Sequence, residues 1–380
     1  MMNAFQHTEL KLVKPPYDSP LTRVVMELQY LRRQRLGGST PPPIFFQLKS
    51  FFHLLESLAS ARIEGNRTTL VEAVDASLSE GEEQRDEIRE ISNLENAMSF
   101  IEENIKPEMG ITSGFTLELH KRVVAGLERE GDTTPGQYRK GNVAITNSRN
   151  CPPDGAVLQD YLEEFFRFIN MPPDPAFDLL RIAIAHHRFA WIHPFNNGNG
   201  RVVRLLTYAL LVAKGFDVGS GRIVNPSAVF CRDRKLYYAQ LKKADEGTES
   251  GMLEWCHYVL NGLSEELQKI DKLLEYGFLS QRILLPAVAY SLERKLITET
   301  EAKILCVAIE KVVFQAGDIE HLAPGKVPAE RSRTLKRMRE NHLIEPVGEN
   351  ARKYVIRFSR SLLTRGLIHS LISENFITAD

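Results

Sequence analysis

Apolar residues recur at helical spacing through most of this chain. After the breaker run Gly37-Gly38-Ser39-Thr40-Pro41-Pro42-Pro43, Phe51, Leu54, Leu55, Leu58 and Ala61 fall on one helical face. Gly65-Asn66 then reads as the stop. The acidic segment Glu80–Glu95 follows as a helix whose charges form a solvated face. Two long apolar helices are expected at about Ala176–Ile192, behind Pro172-Pro173, and at about Asn199–Lys214, ending at Gly215. A further helical stretch is centred on Tyr237–Leu263.

Two segments break this rhythm. Between 131 and 158, Gly131, Pro135, Gly136, Gly141, Pro152, Pro153 and Gly155 punctuate a short alternating run, Asn142-Val143-Ala144-Ile145-Thr146, which predicts an exposed hairpin or edge strand. From about residue 300 the order becomes a helix at Glu301–Val312, a short helix at Asp318–Leu322 and a basic helix at Ala329–Asn341. Two β-like runs follow, Leu343–Val347 and Tyr354–Phe358, joined by a turn at Gly348-Glu349-Asn350. Three helices and a hairpin is the order of a winged helix-turn-helix.

Composition narrows the class. With 380 residues, 43% of them hydrophobic and 26% charged, the chain reads as a soluble globular protein of two or three domains. A formal charge of -1 gives no global attraction to nucleic acid or acidic lipid, so any basic surface must be local. Residues 326–360 supply one: ten Lys and Arg stand against four acids, a net of +6. This makes a DNA or protein partner the expectation there, with Arg331, Arg333, Lys336, Arg337 and Arg339 on the third helix. Cys151, Cys231, Cys256 and Cys306 form no CxxC pair and read as reduced thiols. No run approaches the roughly 18 apolar residues of a membrane span, and the N-terminus has no signal-like stretch. Cytoplasmic localisation without a membrane partner is therefore expected, with a homo-oligomer left open.

The chemistry concentrates in His193-Pro194-Phe195-Asn196-Asn197-Gly198-Asn199-Gly200-Arg201, between two helices. A helix start presents unpaired N–H groups and partial positive charge, which together bind anions. Gly198 and Gly200 let backbone approach phosphate oxygens, and Arg201 and Arg204 lie three apart on one face. Guanidinium forks suit phosphate, and His193 could accept the proton of an attacking hydroxyl. The GxxxxGK[ST] phosphate loop does not fit, because no lysine is present and a helix precedes the loop.

This segment resembles the signature of the Fic family, HxFx(D/E)GNGRxxR. His193, Phe195, Gly198, Asn199, Gly200, Arg201 and Arg204 match it, while Asn197 stands at the acidic position. The resemblance implies a mainly α fold: a Fic-type helical core with a β-hairpin flap, an N-terminal helical segment and the C-terminal winged helix-turn-helix. It divides the chain into 1–110, 111–270, a connector at 271–299 and 300–380. It also implies transfer of AMP from ATP to a Ser, Thr or Tyr hydroxyl of a protein, itself included. His193 would be the general base. Gly198, Asn199, Gly200 and Arg201 would hold phosphates, and Arg204 would engage the γ-phosphate. The acidic residue of the motif normally holds Mg²⁺, and the neutral carbonyl of Asn197 weakens that site.

Two more stretches extend the resemblance to about residues 15–265. Ser60-Ala61-Arg62-Ile63-Glu64-Gly65 resembles the family's inhibitory motif, (S/T)xxxE(G/N), which implies that Glu64 pairs with Arg204 and blocks the γ-phosphate. Pro135-Gly136-Gln137-Tyr138-Arg139, followed by Val143-Ala144-Ile145, resembles the lead-in and target-docking flap. Tyr238, beside Tyr237, falls where the family lines its adenine pocket. The resemblance thus implies a self-inhibited protein adenylyltransferase. The alternative is a nucleotide-sensing, catalytically weak Fic-like regulator that binds DNA.

Overall fold

The computed structural model describes residues 5–33, 39–78, 85–145, 150–216, 224–322, 328–348 and 352–377. Gly37, Gly38, Glu80, Thr146, Lys326, Glu349 and Asn350, which enter the expectations above, lie outside the described residues. The chain forms two units. One comprises Met1–Arg35, His53–Thr68 and Gln84–Leu267; the other comprises Leu36–Phe52, Thr69–Glu83 and Gln268–Asp380.

In chain order the helices are α1 (Pro20–Arg33), α2 (Pro42–Ile63), α3 (Leu70–Leu78), α4 (Asp86–Asn104), α5 (Ser113–Val123), α6 (Leu158–Ile169), α7 (Asp178–Ile192) and α8 (Asn199–Ala213). Then come α9 (Pro226–Arg232), α10 (Arg234–Ala244) and α11 (Glu249–Asp271). The first unit is built on α7 and α8. α8 packs against α4, α5, α7 and α9, and α7 packs also on α6. Both helices are buried nearly all round, the pattern of a helix enclosed by others. In each, a single residue escapes burial: Ala190 in α7 and Gly200 in α8. Some polar side chains inside this bundle are matched. His186 bridges Thr207 (2.8 Å) and the Tyr237 hydroxyl (2.9 Å), and Trp255 Nε1–H donates to the Ala183 carbonyl at 2.7 Å.

Two expectations change here. The stretch Tyr237–Leu263 is not one helix but α10 and α11, broken where Gly247 takes φ +70°, a conformation no helix interior allows. Residues 142–145 form no strand. A strand needs a partner ladder, and what meets this segment is instead a pair of side-chain clamps. Asn142 Nδ2–H donates to Asp154 at 2.8 Å, and Asn142 Oδ1 accepts the Gly155 N–H at 2.9 Å.

The second unit holds α12 (Tyr276–Phe278), a π-helical turn at Leu279–Leu284, α13 (Leu285–Glu293), α14 (Glu299–Lys311), α15 (Pro328–Glu340) and α16 (Thr364–Ser373). A capping box starts α14, Thr298 and Glu301 satisfying each other's backbone N–H. The expected short helix at 318–322 is a 3₁₀ segment, Ala316–Leu322. The two β-like runs become β2 (Ile344–Pro346) and β3 (Lys353–Ile356), joined antiparallel with Ile344 opposite Ile356. A two-residue strand, β1 (Phe314–Gln315), completes the order β1-β3-β2; it is too short to leave a periodic trace. Gln47 pins the end of β3, donating to the Ile356 carbonyl (2.7 Å) and accepting the Phe358 N–H (2.9 Å). Along α15, Leu335 and Met338 are buried while Arg333, Lys336, Arg337 and Arg339 are exposed. No helix is long and apolar enough to cross a membrane among the described residues.

Candidate active site

The turn between α7 and α8 is fixed from both ends. α7 stops at His193, which adopts a left-handed φ of +51°, a conformation that costs a non-glycine residue about 1 kcal/mol or more. α8 begins after Gly198 at φ +76°, where a side chain would also meet Val124 at 3.1 Å. Arg139 offsets the strain at His193. Its Nε–H donates to the His193 carbonyl (2.8 Å), and its terminal nitrogens reach the carbonyls of Gly141, Pro153 and Ile192. Its own N–H meets the Pro194 carbonyl at 2.9 Å. Asn199 closes the turn from within: its side chain accepts the Phe195 N–H and donates to the Phe195 carbonyl, both at 2.9 Å. Its amide therefore shapes the loop rather than reaching outward. The first-turn N–H groups of Asn199, Gly200 and Arg201 have no carbonyl behind them in the helix.

This turn floors a cavity of about 680 Å³, a size suited to a nucleotide-sized ligand. Ala190 and Gly200, the two residues that escape burial on α7 and α8, both line it. His193 Nδ1 lies 3.2 Å from the Ala190 carbonyl. That contact requires Nδ1–H as donor, which leaves Nε2 with the free lone pair. Burial pushes the imidazole pKa down to about 4, and Arg139 adds to the effect; the Ala190 carbonyl and Glu64 oppose it. His193 is thus neutral at pH 7 and able to accept a proton.

Across the cavity, α2 ends beside α8. Ser60 Oγ accepts from Arg204 Nε (2.8 Å), and its carbonyl accepts from Arg204 Nη2 (3.0 Å). Glu64 Oε1 takes the same nitrogen at 2.8 Å. Arg204 is 1% exposed, and its Nε and Nη2 are both engaged by Ser60 and Glu64. Gly200 makes this approach possible: a Cβ there would sit 2.1 Å from Glu64 Oε1. Burial alone would raise the Glu64 pKa. The charge and hydrogen bond of Arg204, with Arg201 and Arg234 beyond it, hold the carboxyl below its usual value.

Arg201 lines the same cavity, with both of its terminal nitrogens already engaged. It pairs with Glu90 at 2.9 Å and donates to the Glu130 carbonyl at 2.8 Å. The second Glu90 oxygen accepts from Asn66, just beyond Glu64, and Asn66 also donates to the Glu87 carbonyl. Glu90 is buried on α4, which corrects the reading of the 80–95 acids as a solvated face. A buried guanidinium requires an anion, and the residue that supplies it lies more than 100 positions away in sequence. Tyr237 is buried, Tyr238 is exposed, and both line the cavity. So do Ala144 and Ile145; Val143 does not.

Asn197 is held as firmly as its neighbours. Its backbone N–H donates to Asp132 (3.1 Å), Nδ2–H to the Gly131 carbonyl (3.0 Å), and Oδ1 accepts the Gly198 N–H (2.7 Å). His120 stacks on Phe195 with ring centroids 3.8 Å apart. Its Nδ1 accepts the Gly136 N–H, so Nε2–H faces the Asn197 carbonyl at 3.2 Å. Arg139, Glu90, Asp132, His120 and Arg234 all support the site, yet none was a candidate from sequence. Only Arg139 carried a signal, as the end of Pro135–Arg139.

The first unit is thus a helical bundle whose histidine–glycine–arginine turn floors a nucleotide-sized cavity. Known proteins share parts of this arrangement. Residues 110–211 match the Fic/DOC family. The protein adenylyltransferase Fic of Drosophila ananassae is 31% identical over 190 residues, 49% of this chain and 35% of that protein. That of Drosophila melanogaster is 30% identical over 202 residues, 52% of this chain and 38% of the other. The chain therefore spans little more than a third of these relatives. A Fic family protein from Desulfovibrio desulfuricans G20 superposes with a TM-score of 0.54 at 19% identity, covering 90% of this chain and 98% of that one. A Fic domain containing signaling protein from Bacteroides thetaiotaomicron gives 0.52 at 18%, covering 67% and 97%. The chain is thus similar to Fic family proteins, in sequence at residues 110–211 and in fold over most of its length.

The divalent cation that the family motif implies does not fit the donors present here. Asn197 has both side-chain atoms engaged by backbone. The cavity's two carboxylates are also committed, Glu64 to Arg204 and Asp245 to His187 at 2.9 Å. No cluster of three His, Cys, Asp or Glu residues able to hold a metal occurs among the described residues.

Proposed function

We propose that this chain transfers AMP from ATP to a hydroxyl side chain of a protein, itself included, and that Glu64 holds the reaction off. The target hydroxyl oxygen would attack the α-phosphorus, its proton passing to His193 Nε2. The bond to the β-phosphate would break and pyrophosphate would leave. The backbone amides of Asn199, Gly200 and Arg201 and the Arg201 guanidinium would meet charge developing on the phosphates, with Gly198 shaping the approach. Arg204 would hold the γ-phosphate once Glu64 withdraws. The relatives named protein adenylyltransferase support the reaction class. The observation that carries the regulation is Arg204 clamped by Ser60 and Glu64 inside the cavity. Residues 143–145 at the rim would align a target segment, and Tyr238 would lie against the base.

Labelled ATP, supplied with Mg²⁺, Mn²⁺ or EDTA, tests this reading. Glu64→Gly should label itself or a target more strongly than the native chain, and the added substitution His193→Ala should remove that label. No label on any protein from the Glu64→Gly form, under all three conditions, refutes an enzyme.

A second reading rests on α15. Its exposed Arg333, Lys336, Arg337 and Arg339 opposite buried Leu335 and Met338 would suit the recognition helix of a winged helix-turn-helix. In that case the Fic domain would sense nucleotide for a DNA-binding regulator. Duplex binding that weakens steeply with added salt supports it; no binding at low salt leaves α15 as a protein-docking face.

A further inference from the structure

The cavity contains a cation that the motif does not account for. Arg234 is the first residue of α10, set there by Asp233, whose side chain accepts the Leu236 N–H. Its guanidinium lies 5.6 Å from the Tyr238 ring centroid, and the residue lines the same cavity as Arg201, Arg204 and His193. It makes no ion pair among the described residues, whereas Arg201 and Arg204 are both paired. Its charge nevertheless reaches the phosphate end of the site, since it helps hold the Glu64 carboxyl below its usual value. The same cavity offers no uncommitted carboxylate: Asn197 replaces one, Glu64 pairs with Arg204, and Asp245 pairs with His187. An excess of guanidinium over carboxylate suits a polyphosphate and disfavours a hard cation.

We propose that the donor phosphates are neutralised in this chain by Arg201, Arg204 and Arg234, with no divalent cation held by protein. This rests on the reading above that the cavity takes ATP. When Glu64 withdraws, Arg204 is released, and Arg234 supplies the charge that an acid-bound cation would otherwise contribute. The site then binds nucleotide with the cation optional.

The test is calorimetric titration of ATP into the full chain carrying Glu64→Gly, in MgCl₂ and in EDTA. Arg234→Ala and Arg234→Gln are measured in the same background. The Kd should agree between MgCl₂ and EDTA within about twofold. Each Arg234 variant should bind about tenfold or more weakly in both media, with its thermal midpoint unchanged because Arg234 is exposed. Binding that collapses in EDTA overturns the proposal while leaving the nucleotide site intact, as does native affinity in both Arg234 variants. Absence of ATP binding in either medium overturns it together with the nucleotide reading.

Discussion

The turn at 193–201 and the segment at 142–145 border one cavity and are built on opposite principles. The turn is tied down at several points: Arg139 holds His193 and Pro194, Asn199 holds Phe195, and Asp132 and Gly131 hold Asn197. At 142–145 the side chain of Asn142 is clamped, but no ladder forms along the backbone. A group that must accept a proton or meet a phosphate has to be fixed before the ligand arrives. Under the proposed function, 142–145 would keep its backbone donors and acceptors for a target segment.

The largest expected effect comes from the fixed region. His193→Ala should lower labelling by about a hundredfold or more, measured with labelled ATP in the Glu64→Gly form. Next is release of the clamp: Glu64→Gly alone should raise self-labelling at least about tenfold, since a charged hydrogen bond on Arg204 is lost. Unchanged labelling would separate the Arg204 contact from regulation.

Arg139→Lys probes the framework, because a single ammonium cannot serve four carbonyls. Unfolding in denaturant should show a loss of about 2–4 kcal/mol. The open region answers differently. Ala144→Pro removes one backbone donor and should lower labelling of an external target about tenfold while leaving ATP affinity unchanged. If ATP affinity falls as well, the segment belongs to the fixed region and the contrast fails.

The smallest effect concerns pH. With its pKa lowered to about 4, His193 stays neutral down to that range. Acid loss of kcat/KM through His193 should therefore centre near pH 4 and not near 6.5. In stability the sign is the same: its neutral form is favoured by folding, so the folded state weakens as pH falls from about 6.5 toward 4. An inflection of kcat/KM near 6.5 would show His193 to be solvated.

Much of this was legible in sequence because the signals are local. Apolar periodicity gave α2, α7, α8, α14 and α15 to within a few residues, and Gly65, Gly198 and Gly215 take positive φ at helix ends. Glu64, near the end of the 60–65 stretch, lies 2.8 Å from Arg204. Periodicity overran the break at Gly247 and turned an alternating run at 142–146 into a strand. Alternation records which side chains face solvent, not whether a ladder partner exists.

The sequence by itself determined the helices, the glycine and histidine positions of the turn, and the presence of arginines at its far end. Tertiary structure alone decided what each of them touches. Glu90 neutralises Arg201, Asp132 takes the Asn197 N–H, and Arg234 enters the cavity from α10. The first two contacts span 111 and 65 residues of chain. No residue-to-residue spacing encodes them; they follow from how α4, α8 and α10 pack, and only packing removes the water that would otherwise serve these charges.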